Sequence, residues 1–451
     1  MKKLVASKRS IRLNGLQRAS ASDALKIHHA TCGDRWSGLR HLTIAAAAAM
    51  ALAAMPASSA FAGNAKGLFS HTPGDLAQTA DVTQSKHLER IKKDKTTANV
   101  KLVHIDVDAL AGDSVQIPVN PTRVLTYTKT KIESVGPTSF VWYGTLPEMQ
   151  GTAILVVNNG KITGTVRDNG AMYKIESVGN GKHAFIEIDH AGFPADHPQQ
   201  TADRRTKPPS GGGVTPTPIL PPPPTPTPIP AGPSQIDVMV VYPPSILSVT
   251  GDVNGLIALA VAETNQAYAN SGVNIKMNLV AATQINYVED GKTFLTMLSD
   301  LANNAAVAQQ RTAVGADVVV MLTTHSDYCG YGYVGPSAGS AYSVVHSGCA
   351  TGHYSFAHEI GHNMGLDHDP LNASPGVATY AHGYQSTSSS PSWRTIMAYN
   401  CSPGCPRLQY FSNPNLNYNG LAMGTPSTSD NARRLNETAA AVSAYRTRPA
   451  P

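Results

Sequence analysis

His358-Glu359-Ile360-Gly361-His362-Asn363-Met364-Gly365-Leu366-Asp367-His368-Asp369 is the stretch on which the reading of this chain turns. It has the form H-E-x-x-H-x-x-G-x-x-H followed by Asp. On an α-helix, residues four apart share a face, so His358 and His362 can present two imidazoles to one metal ion. A third ligand seven residues on cannot come from that face without a turn, and Gly365 can adopt the positive φ that ends a helix and redirects the chain. His368 then returns to the metal. Three neutral imidazoles leave the fourth tetrahedral position of Zn2+ open to water, which is the arrangement of a catalytic site and not of a closed structural one. Glu359, beside the ligands, is placed to take that water's proton.

A histidine-rich helix end without metal is the plain alternative, and H-E-x-x-H alone occurs by chance in long chains. Here the glycine and the third histidine also fall in place, and Thr395-Ile396-Met397-Ala398-Tyr399 follows as a candidate Met-turn. At these residues the chain resembles the metzincin metallopeptidases, and Asp369 directly after the third histidine is most similar to the adamalysin or reprolysin branch. The resemblance covers roughly the last half of the chain. It implies an α/β zincin domain, a zinc endopeptidase with Glu359 as general base, and Met397 as an apolar floor beneath the three imidazoles. It also implies a cleft-lining strand before the zinc helix, for which the alternating run Ala341 to His346 is the expected edge strand, and a closing helix near Asp430 to Tyr445. Tyr399 matches the position at which astacin-like and serralysin-like enzymes carry a tyrosine that approaches the metal, with core packing as the competing account. His353, five residues before His358, falls on a different helical face and is given a structural or surface role.

The rest of the domain reads as β, α, β, α, β. A strand at Ile236 to Tyr242 precedes a helix over 255–270 and a strand from Ile275 to Tyr287. A helix from Phe294 to Leu301, extending or restarting to Arg311, then leads to a strand from Asp317 to Leu322. Such alternation predicts a sheet covered by helices. Tyr410-Phe411-Ser412-Asn413-Pro414 is read as a loop of the specificity wall.

Upstream, residues 206–234 are a Pro/Gly-rich linker that cannot pack a core. Before it, short apolar runs at Val100 to Val107, Val124 to Tyr127, Phe140 to Tyr143, Ala153 to Val157, Lys161 to Val166, Ala171 to Ile175 and Ala184 to Ile188 predict a mostly-β domain. Asn158-Asn159-Gly160 marks a hairpin within it. The chain is therefore read as multidomain: a signal peptide at 1–62, a β-rich propeptide-like domain at 63–205, the linker at 206–234 and the α/β catalytic domain at 235–451.

The formal charge of +5 does not point to nucleic acid. Nine Lys or Arg against two Asp lie in residues 1–62, so the remainder is mildly acidic, and no basic stripe interleaved with aromatics is present. The apolar run Leu42 to Met55, shorter than the roughly 20 residues that span a bilayer, precedes Ala60-Phe61-Ala62 and predicts export with cleavage near Ala62. No stable membrane span is expected. Cys32 falls in the removed segment; among the other four cysteines the favoured pairs are Cys329 with Cys349 and Cys401 with Cys405, against a structural zinc held by all four thiolates.

The expectation is a secreted zinc endopeptidase, with proteins or peptides as substrates, made as a precursor. The alternatives are an inactive adhesion module with a metzincin fold and a zinc amidase acting on cell-wall peptides. Intramolecular inhibition by residues 63–205 cannot use a thiolate, because no cysteine lies between Gly63 and Tyr328. Asp196-His197 could reach the zinc, a solvated loop being the more ordinary account of that pair. Arg204-Arg205 is a plausible cleavage site.

Overall fold

The computed structural model describes residues 65–70, 86–147, 151–197, 232–374, 376–402 and 404–449. The expected signal peptide, Arg204-Arg205 and residues 206–231 of the linker lie outside the described residues. Among the described residues no helix is long and apolar enough to cross a membrane.

The N-terminal part contains β1 (Lys66–Gly67), α1 (Lys86–Lys93) and β2 (Thr97–His104). It continues with β3 (Ser114–Asn120), β4 (Arg123–Gly136), β5 (Ser139–Thr145), β6 (Thr152–Asn158), β7 (Lys161–Asp168), β8 (Ala171–Gly179) and β9 (Lys182–Ile188). These form one sheet in the order β1-β3-β4-β5-β6-β7-β8-β9-β2, antiparallel except between β1 and β3. The β6–β7 turn has Asn159 at φ 49° and Gly160 at φ 77°, the left-handed pair that a two-residue hairpin of right-twisted strands requires. Backbone bonds from Ser70 N to His104 O (3.0 Å) and from Asp106 N to Leu68 O (2.8 Å) join the two ends of the sheet. The sheet thus curls around its own core, which includes Leu68, Tyr127, Trp142, Leu155 and Ile175.

The C-terminal part comprises β10 (Ser234–Tyr242), α2 (Val253–Asn270), β11 (Ile275–Gln284), α3 (Phe294–Asn303) and α4 (Ala305–Ala313). After these come β12 (Val318–Thr323), β13 (Gly330–Gly332), β14 (Tyr342–His346), α5 (Ser347–Ala350) and α6 (Ser355–Asn363). Two small ribbons, β15 (Gln385–Ser386) with β16 (Trp393–Arg394) and β17 (Asn413–Tyr418) with β18 (Leu421–Met423), precede α7 (Asn431–Val442). The main sheet has the order β11-β10-β12-β14-β13, with only β13 antiparallel to its neighbour. Alternate residues of β10 feed two cores: Ile236, Val238 and Val240 face α2, α6 and α7, while Met239 and Val241 face α3 and α4. A sheet buried on both faces explains why β10 and β12 read as continuous apolar runs. Asn304 separates α3 from α4, its side chain accepting from Val307 N as the N-cap of the second helix.

One expectation is corrected here. The strand Tyr342–His346 is interior, lying between β12 and β13, and the edge is the Gly330-Tyr331-Gly332 segment. Residues 342–345 are all buried, so the alternation of Ser343 with apolar neighbours reflects a small residue in a tight place and not a solvent-facing side.

The two parts each own a core, and a third apolar cluster joins them: Val141, Tyr143, Ile154 and Val156 of β5 and β6 pack on Leu259 and Ala262 of α2. Asn158 donates to the capping carboxylate Asp252 (2.7 Å), and Thr165 donates to Glu263 (2.6 Å), whose other oxygen accepts from Gly352 N (2.8 Å). Burial raises the Glu263 pKa, against the lowering effect of these two bonds. The proline-rich linker had suggested that few contacts would cross between the halves. They cross through a face of α2 instead, which linker composition does not report. Leu259→Ala should cost about 2–4 kcal/mol at this junction, read as a lower midpoint for the intact chain in calorimetry, with no change expected from Leu371→Ala, whose side chain is 89% exposed.

Candidate active site

Helix α6 carries His358, Glu359 and His362 on one side and stops at Met364; Gly365 follows at φ 89°, and Leu366 N bonds back to Gly361 O (3.0 Å). The chain then delivers His368 to the first two histidines. Around His362 Nε2 lie His358 Nε2 and His368 Nε2, each at 3.2 Å. The opposite ring nitrogens are engaged: His358 Nδ1 with Ile396 O (2.8 Å), His362 Nδ1 with Leu366 O (3.0 Å) and His368 Nδ1 near Asp367 Oδ1 (3.4 Å). A nitrogen facing a carbonyl must carry the proton, so in His358 and His362 the inward Nε2 presents a lone pair. Burial, with the neighbouring histidines contributing, holds the pKa of all three imidazoles below the ordinary value and keeps them neutral. Lone pairs converging at this distance repel one another unless a cation lies among them. The donor set fits a tetrahedral N-ligated metal, with outer hydrogen bonds fixing each tautomer.

Glu359 is buried against the edge strand. A Cβ at Gly330 would stand 2.3 Å from Glu359 Oε1 and one at Gly332 3.1 Å from Oε2, so the two glycines let the strand lie flush on the carboxylate. Glu359 Oε1 also meets His197 Nε2 at 3.0 Å. His197 comes from the N-terminal part, and its ring joins those of His358, His362 and His368 in one buried four-histidine cluster. Burial lowers the His197 pKa, but the charge and hydrogen bond of Glu359 outweigh it and raise the value above normal.

Met397 packs against helix α6 at Gly361. A Cβ at Gly361 would come within 2.7 Å of its sulfur, and one at Gly383 within 2.5 Å of Ala398 N, so both glycines admit the Met-turn to the ligand helix. Gly383→Ala meets backbone and not a movable side chain. It should cost about 1–3 kcal/mol and weaken metal retention, measured by thermal unfolding and by metal content after dialysis. Asp369 secures the same turn from the other side, its Oδ2 accepting from Tyr399 N at 3.0 Å. Tyr399 is half-buried, with its ring 4.2 Å from that of His368. Burial raises its pKa, as do the nearby carboxylates, Asp196 first.

Beside His197, Asp196 enters a pocket that the sequence reading did not assemble. Asp196 Oδ2 accepts from Arg394 Nη1 (3.1 Å) and from Arg407 Nη2, while His353 Nε2 stands 3.4 Å from Oδ1. All four side chains are buried, so His353 is a pocket residue and not a surface one. Burial would raise the Asp196 pKa, but Arg407, His353 and Arg394 together hold it well below the ordinary value. Burial and Arg407 push the His353 pKa down to about 3, which keeps that imidazole neutral. Arg394 also donates to Ala398 O (2.7 Å) and Arg407 to His353 O (2.9 Å), which fixes both guanidiniums to the backbone around the Met-turn and just before helix α6. The sole prior signal was the pair Asp196-His197; nothing in the spacing of Arg394 and Arg407 announces a shared carboxylate.

Both favoured cysteine pairs are disulfides, Cys329–Cys349 and Cys401–Cys405, each with Cα atoms 5.4 Å apart. The first ties the start of the edge strand to α5; the second closes the loop between the Met-turn and Arg407. The four-thiolate zinc alternative is thereby removed.

Residues 232–412 match the family model described as metallo-peptidase family M12. A peptidyl-Asp metalloendopeptidase of Xanthomonas campestris pv. campestris is 34% identical over 419 residues, covering 88% of this chain and 97% of that protein. A peptidyl-Asp metalloendopeptidase of Stenotrophomonas maltophilia strain R551-3 is 34% identical over 414 residues, covering 86% and 96%. Among solved structures, metalloproteinase-II from Bacteroides fragilis aligns with a TM-score of 0.35 at 11% identity, over 69% of this chain and 92% of that one.

Proposed function

This chain belongs to the M12 metallopeptidases and is a metalloendopeptidase, and on that premise we propose that it is an exported zinc enzyme, made as a latent precursor, that cleaves proteins next to aspartate. The observation that carries the zinc reading is the convergence of three neutral Nε2 atoms at 3.2 Å beside a buried carboxylate. Export is favoured by the signal-like N-terminus and by the two disulfides, since such bonds persist in oxidising compartments. The aspartate preference is taken from the names of relatives aligned over nearly their whole length.

His358, His362 and His368 hold the metal in this reading. Zinc bound there would supply Lewis acidity and lower the pKa of its water towards ~7. Glu359 accepts the water proton and passes it to the leaving amine. Its low-polarity seat against Gly330 and Gly332 keeps it beside the reacting atoms and excludes bulk water. Met397 and the carbonyls of Ile396 and Leu366 hold the imidazoles in orientation. His197 lies where a substrate must come, which supports inhibition by residues 63–205 through an imidazole in place of a thiolate.

The inactive-adhesion alternative loses its ground, since the relatives are endopeptidases and neither Glu359 nor a ligand histidine is replaced. Chelation should abolish hydrolysis of casein by the activated protein, and zinc should restore it. Casein cleavage persisting in metal-free protein would refute the zinc reading, while cleavage of murein alone would favour the amidase.

A further inference from the structure

We propose that Arg394, Arg407 and His353 form the pocket that selects aspartate in substrates, and that Asp196 fills this pocket in the precursor as a substrate-like side chain of the same chain. The inference rests on the aspartate-directed reading above and names the residues that would enforce it.

Three observations meet here. First, the pocket holds a carboxylate already: Asp196 lies between Arg394 and Arg407 through Oδ2, with His353 at Oδ1. Second, its position is adjacent to the chemistry. Asp196 immediately precedes His197, which reaches the metal ligands, so a substrate residue in the same pocket flanks the bond beside Glu359. Backbone bonds from Cys329 N to Ala195 O (2.8 Å) and from Gly330 N to Asp196 O (3.3 Å) hang this segment on the edge strand, where a peptide would lie. Third, the two guanidiniums belong to the catalytic part and are buried, 3% and 2% exposed, and both ion-pair with Asp196. When the N-terminal part leaves, two like charges remain side by side without the carboxylate that both paired with, and Arg394 Nε and Arg407 Nε lack hydrogen-bond partners even in the seated state. A carboxylate relieves that repulsion; an amide or an alkyl group does not.

The pocket is also rigid and short. Arg394 and Arg407 are fixed by Ala398 O and His353 O, all within the catalytic part. A side chain with one methylene between Cα and the carboxyl group fills it; the extra methylene of glutamate has to be accommodated against anchored groups. Discrimination against a substrate lacking the required polar group can be large, because the site's buried groups are then left unpaired.

The test has two arms. In the first, the full chain is activated by limited proteolysis and assayed on peptides that differ at one position, carrying Asp, Asn, Glu or Leu. The activated wild type should prefer Asp over Asn, and Arg407→Gln and Arg394→Gln should each lower the Asp:Asn ratio of kcat/KM by about 100-fold or more. No Asp preference in the wild type would overturn the aspartate-directed reading and this proposal with it. A wild-type preference that survives in both variants would overturn the pocket assignment alone. The second arm leaves both arginines in place and does not depend on the folding of their variants. In the uncleaved Asp196→Ala precursor, N-acetylaspartate amide at millimolar concentration should raise the thermal midpoint by refilling the pocket, with no such shift in the wild-type precursor. An equal rise with N-acetylasparagine amide, or none with either, would reject a carboxylate pocket.

Discussion

Glu359→Gln is expected to leave a folded protein that retains its metal and turns over peptides about 10²- to 10⁴-fold more slowly, the usual contribution of a positioned proton-transfer group. The substitution is isosteric and removes a base without removing a ligand, so kcat and kcat/KM should fall together while metal content per chain stays constant. In the uncleaved precursor the same change has a second effect. His197 Nε2 stands 3.0 Å from Glu359 Oε1, and with Gln it faces a neutral amide. The glutamine precursor should therefore release its N-terminal segment more readily than the wild type does, although the released enzyme is inactive. Loss of metal from the variant would show that Glu359 serves as a structural support.

The second large effect is expected from the N-terminal segment itself. Asp196→Ala deletes one partner of a buried ion cluster and leaves Arg394 and Arg407 facing each other, which costs about 3–5 kcal/mol. That corresponds to a shift of about 10²- to 10⁴-fold in the equilibrium between a seated and a lifted segment. Uncleaved Asp196→Ala protein should accordingly hydrolyse a small peptide substrate, and adding His197→Ala should raise that rate further; a precursor as silent as the wild type would mean that Asp196 does not hold the cleft shut. Acid should act in the same direction. The Asp196 pKa is held well below its ordinary 3.8, so its contribution is complete above that value and is lost as pH falls through the folded value. The facing groups are Arg407, Arg394, whose pKa burial lowers to about 9, and His353, which is neutral above about pH 3. Activity of the precursor assayed at neutral pH after a brief acid exposure reads this out.

The parts of this molecule that local sequence announces are those whose chemistry is local. The three clustered histidines lie within eleven consecutive residues, Gly365 turns the chain between them, and the short loop closed by Cys401 and Cys405 lies just beyond the Met-turn. Asn159-Gly160 gives a hairpin because both residues tolerate positive φ. The central helices and strands followed from apolar periodicity, with β11 ending three residues early. The aspartate pocket was not legible, because Asp196 and its arginine partners stand 198 and 211 residues apart and neither arginine sits in a pattern. The edge strand was misplaced for a related reason: two of the three residues of Gly330-Tyr331-Gly332 are glycines, which are depleted in strands, and at both positions a Cβ would press on the Glu359 carboxylate. The strand Ser114–Asn120, with Pro118 inside it, also passed unread, since proline argues against a strand interior.

Helix α2 serves two cores at once. Leu256, Ile257, Ala260 and Val261 face the catalytic sheet, while Leu259 and Ala262 face the N-terminal one and Glu263 reaches Thr165. A helix apolar around most of its circumference is suited to the interior of a protein and not to its surface. If residues 63–205 depart as proposed, this buried rod becomes an outer wall, with an oily stripe and a carboxylate stripped of its hydroxyl partner meeting water together. Freshly activated molecules then carry a patch suited to sticking to one another, at a rate that grows with the square of their concentration. Light scattering during activation should rise with protein concentration and subside on dilution, so that dispersal after release keeps the enzyme in solution.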